Sequence, residues 1–388
     1  MTVRLSTLPA FGIIVVSIAY VIEITTFPLI LGALTDTLHL TRSQGLWLAS
    51  AYKIALVCSL LIGGPMGDRF GKERIFAVGT AFFSLSSLAL LFVQNGETAL
   101  VLRVLQGIGA GLFSPMIPAL IAARRRENAV SALSRWGMIT GLAAAVYPFI
   151  AAVLTQSTSW QGGWLVVPLF ATVALLGLPM ISDRQDQTPN PVNEASAKVA
   201  LSASVWAIIA YVFLNYGATT WFIYAIATMQ SDAISLTQTG VLLFVLWSVF
   251  ALGNLAVSQL NRLLSMPTLL QIGAIFNAIG ILLLCYDPTN LYLAFFTSGL
   301  IGIGMALNNV PTTDLAFRMS PQSAHGRVAS LDIIAARLGG AACVVLIPFH
   351  ASASLWFAPV FAVCVVAFSF ALVLFSMRGT PKLAVPAE

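Results

Sequence analysis

Charged residues are scarce in this chain. Asp, Glu, Lys and Arg make up 9% of its 388 residues, whereas 59% are hydrophobic. A soluble domain averages about 25% charged residues, so the composition excludes a soluble globular protein. Apolar runs of about 20 residues, the length that crosses a bilayer as a helix, recur along the whole sequence. We therefore expect an all-α integral membrane protein. Its first run is too long for a signal peptide, and we expect it to be retained.

Reactive side chains are also few. The four cysteines, Cys58, Cys285, Cys343 and Cys364, lie in or beside apolar runs, and no pair has the spacing of a metal site. The sequence also contains no metal-ligand cluster, nucleophile motif or phosphate-binding loop. We therefore expect neither enzyme activity nor a cofactor, and no metal.

The apolar runs predict twelve membrane-spanning helices. With the N-terminus inside, Arg42 is the only Lys or Arg that falls in an outer loop. The net charge of +5 therefore follows the positive-inside rule and does not indicate nucleic-acid binding. We expect both termini to be cytoplasmic and the chain to lie in the inner (plasma) membrane. The predicted spans are 8–34, 44–66, 75–94, 98–123, 129–154, 162–182, 201–228, 238–260, 267–286, 291–317, 328–350 and 354–377.

One long polar stretch, residues 183–200, interrupts the series of spans. It contains two prolines and mixed charge, which predicts a flexible cytoplasmic linker. The linker divides the chain into an N-terminal domain, 1–182, and a C-terminal domain, 201–388, of six spans each. The two halves are related by an offset of 193 residues, which indicates a duplication. The offset places Asp68-Arg69 on Asn261-Arg262, Gly109 on Gly302, Gly111 on Gly304 and Pro118 on Pro311.

The segment between the second and third apolar runs is unusually charged, with five charges in the seven residues 68–74. Charges avoid the lipid interior and glycine permits a tight reversal, so we expect a loop at the membrane surface. The segment Gly64-Pro65-Met66-Gly67-Asp68-Arg69-Phe70-Gly71-Lys72-Glu73-Arg74 resembles motif A of the major facilitator superfamily. The match comprises Gly64, Asp68, Arg69, Gly71, Lys72 and Arg74, while Met66 and Glu73 depart from the pattern.

The resemblance implies the fold of that superfamily, which is two pseudo-symmetric six-helix bundles. It also implies that the motif works as a gate. The Asp68 carboxylate would cap the start of a helix in the other half, near Arg327–Ser330, where the helix dipole stabilises a negative charge. Breaking that contact would open the cytoplasmic side.

Two charged residues inside spans are candidates for proton coupling. A carboxyl group in a low-dielectric site favours its neutral form, so Glu23 can take up a proton, and a cationic substrate would compete with that proton. The segment around Glu23 resembles the first span of drug:proton antiporters, and Arg103 with Gln106-Gly107 resembles their motif B. The resemblance implies that Arg103 tunes Glu23. The alternative is that Lys53 or Arg103 neutralises Glu23 only to hold helices together.

Further residues inside the spans are candidates for substrate binding. Lys53 and Arg337 could form a cationic wall for an anionic or zwitterionic substrate. Alternatively, Lys53 reaches the membrane surface and Arg337 forms a structural pair with Asp332. The polar and aromatic candidates, which could instead be packing or lipid-facing residues, are Tyr20, Asn215, Tyr216, Trp221, Tyr224, Asn308 and Asn309.

Small residues predict close helix packing at Gly107 and Gly111 of the fourth span. In the fifth span, Gly137, Gly141 and Pro148 resemble motif C of the antiporters. Tyr147 replaces the glycine that precedes the proline, and Ala151-Ala152 replace a Gly-Gly pair. We expect packing roles for Gly141 and Pro148, although the departures weaken the specific indication of antiport.

These observations favour a proton-coupled secondary exporter of small amphipathic compounds, a multidrug-type antiporter that works as a monomer by alternating access. Its partners would be a small-molecule substrate, protons and lipid, with no nucleic acid. Two alternatives stay open, because a fold does not fix a substrate. One is an exporter of an endogenous anionic metabolite such as a carboxylate siderophore, and the other is a non-transporting membrane assembly factor or receptor. The first alternative depends on four intramembrane bases against three acids, namely Lys53, Arg103, Arg135 and Arg337 against Glu23, Asp314 and Asp332.

Overall fold

The computed structural model describes residues 8–124, 129–177, 200–228, 234–321, 324–345 and 357–378. Within these ranges the chain forms α-helices and no β-strand. The helices are α1 (Leu8–Thr37), α2 (Arg42–Phe70), α3 (Lys72–Leu90), α4 (Gly96–Phe113), α5 (Met116–Arg124), α6 (Ala129–Ser157), α7 (Trp160–Trp164), α8 (Val166–Leu176), α9 (Ala203–Thr228), α10 (Leu236–Leu260), α11 (Met266–Tyr286), α12 (Leu291–Arg318), α13 (His325–Val345) and α14 (Phe357–Arg378).

The expected all-α membrane class is confirmed. Among the described residues, ten helices are long and apolar enough to cross a membrane. The predicted sixth span corresponds to the shorter apolar stretch Trp160–Leu176, which is divided into α7 and α8. The predicted eleventh span corresponds to α13, which is not one of the ten. The chain is therefore a multi-pass membrane protein.

The predicted fourth span, 98–123, is interrupted. Helix α4 ends at Phe113 and α5 begins at Met116. Pro115 lies in the break, and because proline lacks an amide hydrogen and crowds the preceding turn, it interrupts regular helix hydrogen bonding. The fourth span is therefore present, since Gly96–Pro118 is long and apolar enough to cross a membrane, but the predicted segment consists of two helices.

The expected surface loop at 64–74 is also largely wrong. Helix α2 continues through Gly64 and Pro65 to Phe70, and α3 begins at Lys72, so one residue separates the two helices. That residue, Gly71, has a φ of 96°, a conformation that only glycine adopts without strain. Its amide donates a hydrogen bond of 3.0 Å to the carbonyl oxygen of Gly67. The reversal therefore depends on Gly71 alone, and the other motif residues lie on helices.

The chain divides into two compact units. The first contains α1 to α8, the end of α9 from Ile223 and the start of α10 up to Trp247. The second contains the remainder of α9 and α10, together with α11, α12, α13 up to Cys343, and α14. The domain boundaries at 182 and 201 stay a prediction, and residues 183–199 of the predicted linker lie outside the described ranges.

In the first unit, α4 packs against α2 and α3, while α1 packs against α6 and α8. Two glycines of α4 approach the backbone of α2 closely. A Cβ atom at Gly107 would overlap the carbonyl oxygen of Tyr52, and one at Gly111 would overlap that of Leu56. The α2 and α4 backbones therefore touch. Because Arg103 lies one turn before Gly107, this contact also places Arg103 against α2.

In the second unit, α11 packs against α12 and α14. Gly304, which corresponds to Gly111 at the offset of 193, is again a point of close approach. A Cβ atom there would overlap the side chain of Asn277 and lie 2.9 Å from the carbonyl oxygen of Gly273. Both sequence repeats thus use a glycine at this position for close packing, but Gly111 faces α2 whereas Gly304 faces α11.

Candidate functional site

The first unit contains a buried ion pair between two of the residues singled out from the sequence. Glu23 of α1 is 0% exposed and Arg103 of α4 is 1% exposed. Arg103 Nη1 donates a hydrogen bond of 2.7 Å to Glu23 Oε1. An isolated buried charge is strongly unfavourable, so each side chain offsets the cost of burying the other. The two residues are 80 positions apart in sequence, so the pair joins α1 to α4.

Several further contacts fix the Arg103 guanidinium. Its Nε donates to the carbonyl oxygen of Leu48 at 3.3 Å, and Nη1 also donates to Gln106 Oε1 at 2.5 Å. Its Cζ lies 3.6 Å from the ring centroid of Phe27 and 4.3 Å from that of Tyr52. Aromatic faces attract cations, more strongly where water is excluded. The guanidinium therefore has supports that do not depend on Glu23.

A hydrogen-bonded chain connects Arg103 to neighbouring helices. Gln106 Nε2 donates to Ser87 Oγ at 2.7 Å, and Ser87 Oγ donates to the carbonyl oxygen of Phe83. Trp164 Nε1 donates to the carbonyl oxygen of Ser87 at 3.0 Å. These contacts link α4 to α3 and α7. Charged hydrogen-bond networks of this kind hold a guanidinium in one orientation when they are fully satisfied.

The carboxylate of Glu23 is less constrained than the guanidinium. Among the described residues, its second oxygen, Oε2, has no hydrogen-bond partner. The Tyr52 hydroxyl interacts with the carboxylate electrostatically but makes no hydrogen bond of ordinary geometry. Glu23 can therefore accept a proton on Oε2 without losing an existing hydrogen bond. A carboxyl group protonated in this way no longer attracts Arg103 as a full negative charge.

Lys53 is a second buried base in the same unit. Its side chain belongs to α2, the residue is 8% exposed, and its ammonium nitrogen is buried. Nζ lies 4.4 Å from the ring centroid of Tyr224, which is 4% exposed. Tyr224 in turn interacts electrostatically with Arg103 and Glu23. The burial of Nζ argues against the alternative in which Lys53 reaches the membrane surface.

The second unit contains polar clusters built from the candidates on α9 and α12. The Tyr216 hydroxyl donates a hydrogen bond of 2.7 Å to Asn309 Oδ1, and Asn309 Nδ2 donates to Asn254 Oδ1 at 3.1 Å. Tyr216 also interacts electrostatically with Asp332 and Arg337 of α13. Tyr216, which corresponds to Glu23 in the second repeat, therefore belongs to a network of uncharged side chains. The neighbouring charged residues are Asp332 and Arg337 of α13.

A second cluster contains Asn215 and Asn308. The Tyr211 hydroxyl contacts Asn308 Oδ1 at 2.6 Å and the carbonyl oxygen of Leu270 at 2.5 Å. Asn215 Nδ2 donates to Ser369 Oγ at 2.8 Å. The two asparagines are 1% and 2% exposed, so they lie in the interior of this unit and tie α9 to α11, α12 and α14.

Other sequence candidates lie in packing contacts. The Tyr20 ring meets Phe113 edge-on at 5.6 Å, and the Trp221 ring lies 5.8 Å from that of Phe361. Asp314 forms an ion pair of 2.7 Å with Arg318 one turn further along α12, where both side chains are partly exposed. A substrate contact for Tyr20 or Trp221 stays a prediction.

The gating motif is only partly described. The Asp68 side chain lies outside the described set, so its capping role stays a prediction. Arg69 and Arg74 are exposed, and the Arg69 guanidinium lies 5.2 Å from the ring of Phe70. No heavy atom of the described residues lies within 4 Å of a Cβ built at Gly64.

The altered motif C segment still makes close helix contacts. A Cβ atom at Gly240 of α10 would lie 2.5 Å from Ala152 Cβ and 3.1 Å from the carbonyl oxygen of Pro148, both on α6. The Tyr147 hydroxyl donates a hydrogen bond of 3.1 Å to the carbonyl oxygen of Gly163. For Gly141, by contrast, the described residues leave open space within 4 Å of a Cβ, so its packing role stays a prediction.

Sequence reasoning missed the supports of the charged pair, namely Phe27, Tyr52, Ser87 and Trp164. One available signal was the spacing of Phe27 four residues after Glu23, which puts both on one face of α1. In the second unit it missed Tyr211, Asn254 and Ser369. These residues lie in apolar helices, where nothing local distinguishes them from other polar residues of the same type.

Comparison with known sequences identifies relatives of this chain. A profile of the Major Facilitator Superfamily matches residues 11–264. The methylenomycin A resistance protein of Bacillus subtilis is 29% identical over 197 residues, which cover 50% of this chain and 41% of that protein. The tetracenomycin C resistance and export protein of Streptomyces glaucescens is 27% identical over 179 residues, which cover 46% and 33%. The methyl viologen resistance protein SmvA of Salmonella typhimurium is 28% identical over 211 residues, which cover 54% and 41%. The chain thus spans about a third to two fifths of the length of these relatives.

Solved structures resemble almost the whole chain. An auto-inhibited POT family peptide transporter superposes with a TM-score of 0.78 at 13% identity, over 99% of each chain. The nucleoside transporter NupG superposes with a TM-score of 0.71 at 11% identity, over 96% of this chain and 99% of that one. At such low identity these likenesses show a shared fold and no more.

Proposed function

The chain belongs to the Major Facilitator Superfamily, and on that premise we propose that it is a proton-coupled exporter of small amphipathic compounds that works by alternating access. The buried Glu23–Arg103 pair is the observation that carries the proposal. Ionisable groups inside membrane proteins are costly to retain and commonly mark proton or substrate pathways. The names of the relatives, which refer to resistance and export, support export of a drug-like compound.

The geometry suggests how protonation would change the site. In the ionised state Glu23 and Arg103 neutralise each other. A proton on Oε2 removes the negative charge, while Leu48, Gln106 and the two aromatic rings still hold the guanidinium in place. The site thus gains one unit of positive charge without a large rearrangement of Arg103. A substrate that binds best to the ionised pair is then released, and binding of the next substrate favours loss of the proton. This competition is sufficient for exchange of substrate and proton.

The proposed setting is the inner membrane of a bacterium, with both termini cytoplasmic and the chain active as a monomer. The distribution of Lys and Arg between alternate predicted loops supports this orientation. Under an inward proton gradient, Glu23 would be protonated from the outer side and deprotonated towards the cytoplasm. The substrate would move in the opposite direction.

A second candidate function is export of an endogenous anionic metabolite. The burial of the Lys53 ammonium group supports it, because a buried base stabilises a nearby anion more than an exposed one does. In this case the Lys53 ammonium group would bind the anion.

The test is transport by purified protein in proteoliposomes with an imposed pH gradient, using a panel of amphipathic antibiotics and dyes. We expect Glu23→Gln to abolish gradient-driven accumulation while leaving binding measurable, because the amide cannot exchange a proton. Glu97→Gln is the matched control, since Glu97 is an exposed residue in the first turn of α4. Gradient-driven transport that survives in Glu23→Gln would contradict the proposed coupling role. Absence of any gradient-driven flux in the unmodified protein, over the whole panel, would contradict the proposed function.

A further inference from the structure

Among the described residues, the first unit buries more basic than acidic side chains. Of the charged side chains in the described part of the chain, three are buried, and they are one acid, Glu23, and two bases, Arg103 and Lys53. The two bases contact different groups. Arg103 contacts the acid directly at 2.7 Å, whereas the Lys53 ammonium lies over the ring of Tyr224.

The face of a buried tyrosine ring is a site to which an organic cation binds well, because the ring quadrupole attracts positive charge and no water competes. In this protein the chain places its own cation there, with Nζ 4.4 Å from the centroid of Tyr224. The same tyrosine interacts electrostatically with both members of the Glu23–Arg103 pair. The ammonium group therefore occupies a cation site next to the proposed coupling pair.

We propose that Lys53 is a specificity-determining residue that selects against organic cations, so that the preferred substrates are neutral amphipathic compounds. This inference rests on the proposed function, and it names the substrate class of the same site.

Electrostatics gives the expected size of the effect. Two like charges about 8 Å apart, at an effective dielectric constant of about 20, repel each other enough to weaken binding about thirtyfold. The same charge strengthens the binding of an anion of equal shape. Hydrophobic contacts contribute equally to both ions, so the ratio of their affinities isolates the contribution of the fixed charge.

The probes are tetraphenylphosphonium and tetraphenylborate, which have nearly the same shape and opposite permanent charges. Dissociation constants are measured by equilibrium dialysis on the purified full chain in detergent, without a pH gradient. The quantity compared between variants is the ratio of the cation constant to the anion constant, because partition of each probe into detergent cancels in that comparison. We expect Lys53→Met to change the ratio by more than about thirtyfold in favour of the cation, because the fixed charge acts on the two ions in opposite directions. Lys53→Arg, which keeps the charge, should leave the ratio unchanged.

Two further variants keep the test decisive if Lys53→Met does not fold. Lys53→Gln removes the charge with a polar side chain and should shift the ratio in the same direction. Tyr224→Leu removes the ring but keeps the ammonium, so discrimination against the cation should persist. A ratio in Lys53→Met and Lys53→Gln within about twofold of the original would overturn the inference, and so would failure of the unmodified protein to bind either ion. Because no gradient is applied, failure of this experiment is distinct from a loss of proton-driven transport, which would instead contradict the proposed function.

Discussion

The carbonyl oxygen of Tyr52 lies so close to the α-carbon of Gly107 that a side chain at that position would overlap it. This contact brings the backbones of α2 and α4 together and sets Arg103 beside Leu48 and Tyr52. The charged pair therefore depends on a residue that carries no charge and no side chain.

We expect Gly107→Ala to destabilise the protein and to displace Arg103. Forcing a methyl group into a well-packed interface costs about 1–3 kcal/mol, and here the obstructing atom belongs to the backbone, which cannot rotate away. Thermal unfolding in detergent measures the change. Gly64→Ala is the matched control, because a Cβ atom there meets no heavy atom of the described residues within 4 Å. Since alanine favours a helix over glycine, this control should be neutral or more stable by about 0.5–1 kcal/mol. Equal destabilisation in both variants would contradict the importance of the contact.

A double-mutant cycle can measure the energetic coupling between Glu23 and Arg103. Removing one member of a buried ion pair leaves the other charge without compensation, so Arg103→Gln should lower the free energy of unfolding by about 3–5 kcal/mol. Combining it with Glu23→Gln removes both charges, and the double variant should be more stable than Arg103→Gln alone. Chemical denaturation in detergent measures the change in the free energy of unfolding for each single variant and for the double variant. Additive effects would show that the two side chains do not stabilise each other in the folded protein.

The hydrogen bond from Tyr147 to Gly163 makes a separate prediction about the altered motif in α6. Tyr147→Phe keeps the ring and should cost about 0.5–1.5 kcal/mol, the usual contribution of one hydrogen bond. Tyr147→Gly, which restores the residue of the related antiporters, also removes a buried ring and should cost several kcal/mol. Thermal unfolding distinguishes the two variants. If Tyr147→Gly were as stable as the unmodified chain, the Tyr147 ring would not stabilise the packing of α6 against α7.

The end of α6 and the start of α10 offer a site for cross-linking. The amide and hydroxyl of Thr237 both donate hydrogen bonds to Gln156 Oε1, at 3.1 Å and 2.5 Å. Alternating access, as proposed, requires these helices to separate, because they belong to different predicted bundles. In a background without the four native cysteines, oxidation of Gln156→Cys with Thr237→Cys should therefore stop transport, and reduction should restore it. The Gln156→Cys variant alone should stay active under oxidation. Full activity of the cross-linked pair would exclude opening at this point.

The sequence predicted a basic partner for Glu23, either Lys53 or Arg103, because a membrane interior imposes a strong requirement on isolated charges, and the structure shows that this partner is Arg103. Either the two residues pair, or each must find another partner. No comparable requirement applies to Phe27, Ser87 or Trp164. Aromatic rings and hydroxyls are common in membrane helices for many reasons, so their role emerges only when the fold brings them beside Arg103.

The loop predicted at 64–74 failed for a different reason. Glycine, proline and clustered charge are signals for a chain reversal, and five of those positions carry charge. In the structure, however, the hydrogen bonds of α2 continue past Pro65 to Phe70. Charge can lie on a helix as well as on a loop once the helix leaves the lipid, and proline within a membrane helix is tolerated more readily than in water.

Only Gly71 separates α2 from α3, so the two helices cannot move independently along their axes at this point. Each helix must follow an axial movement of the other. A rotation of one helix relative to the other can occur only about the φ and ψ angles of Gly71. A displacement of α2 beside the ion pair, where it carries Tyr52 and Lys53, should therefore also move α3, which carries Ser87, and shift Arg69 in the last turn of α2.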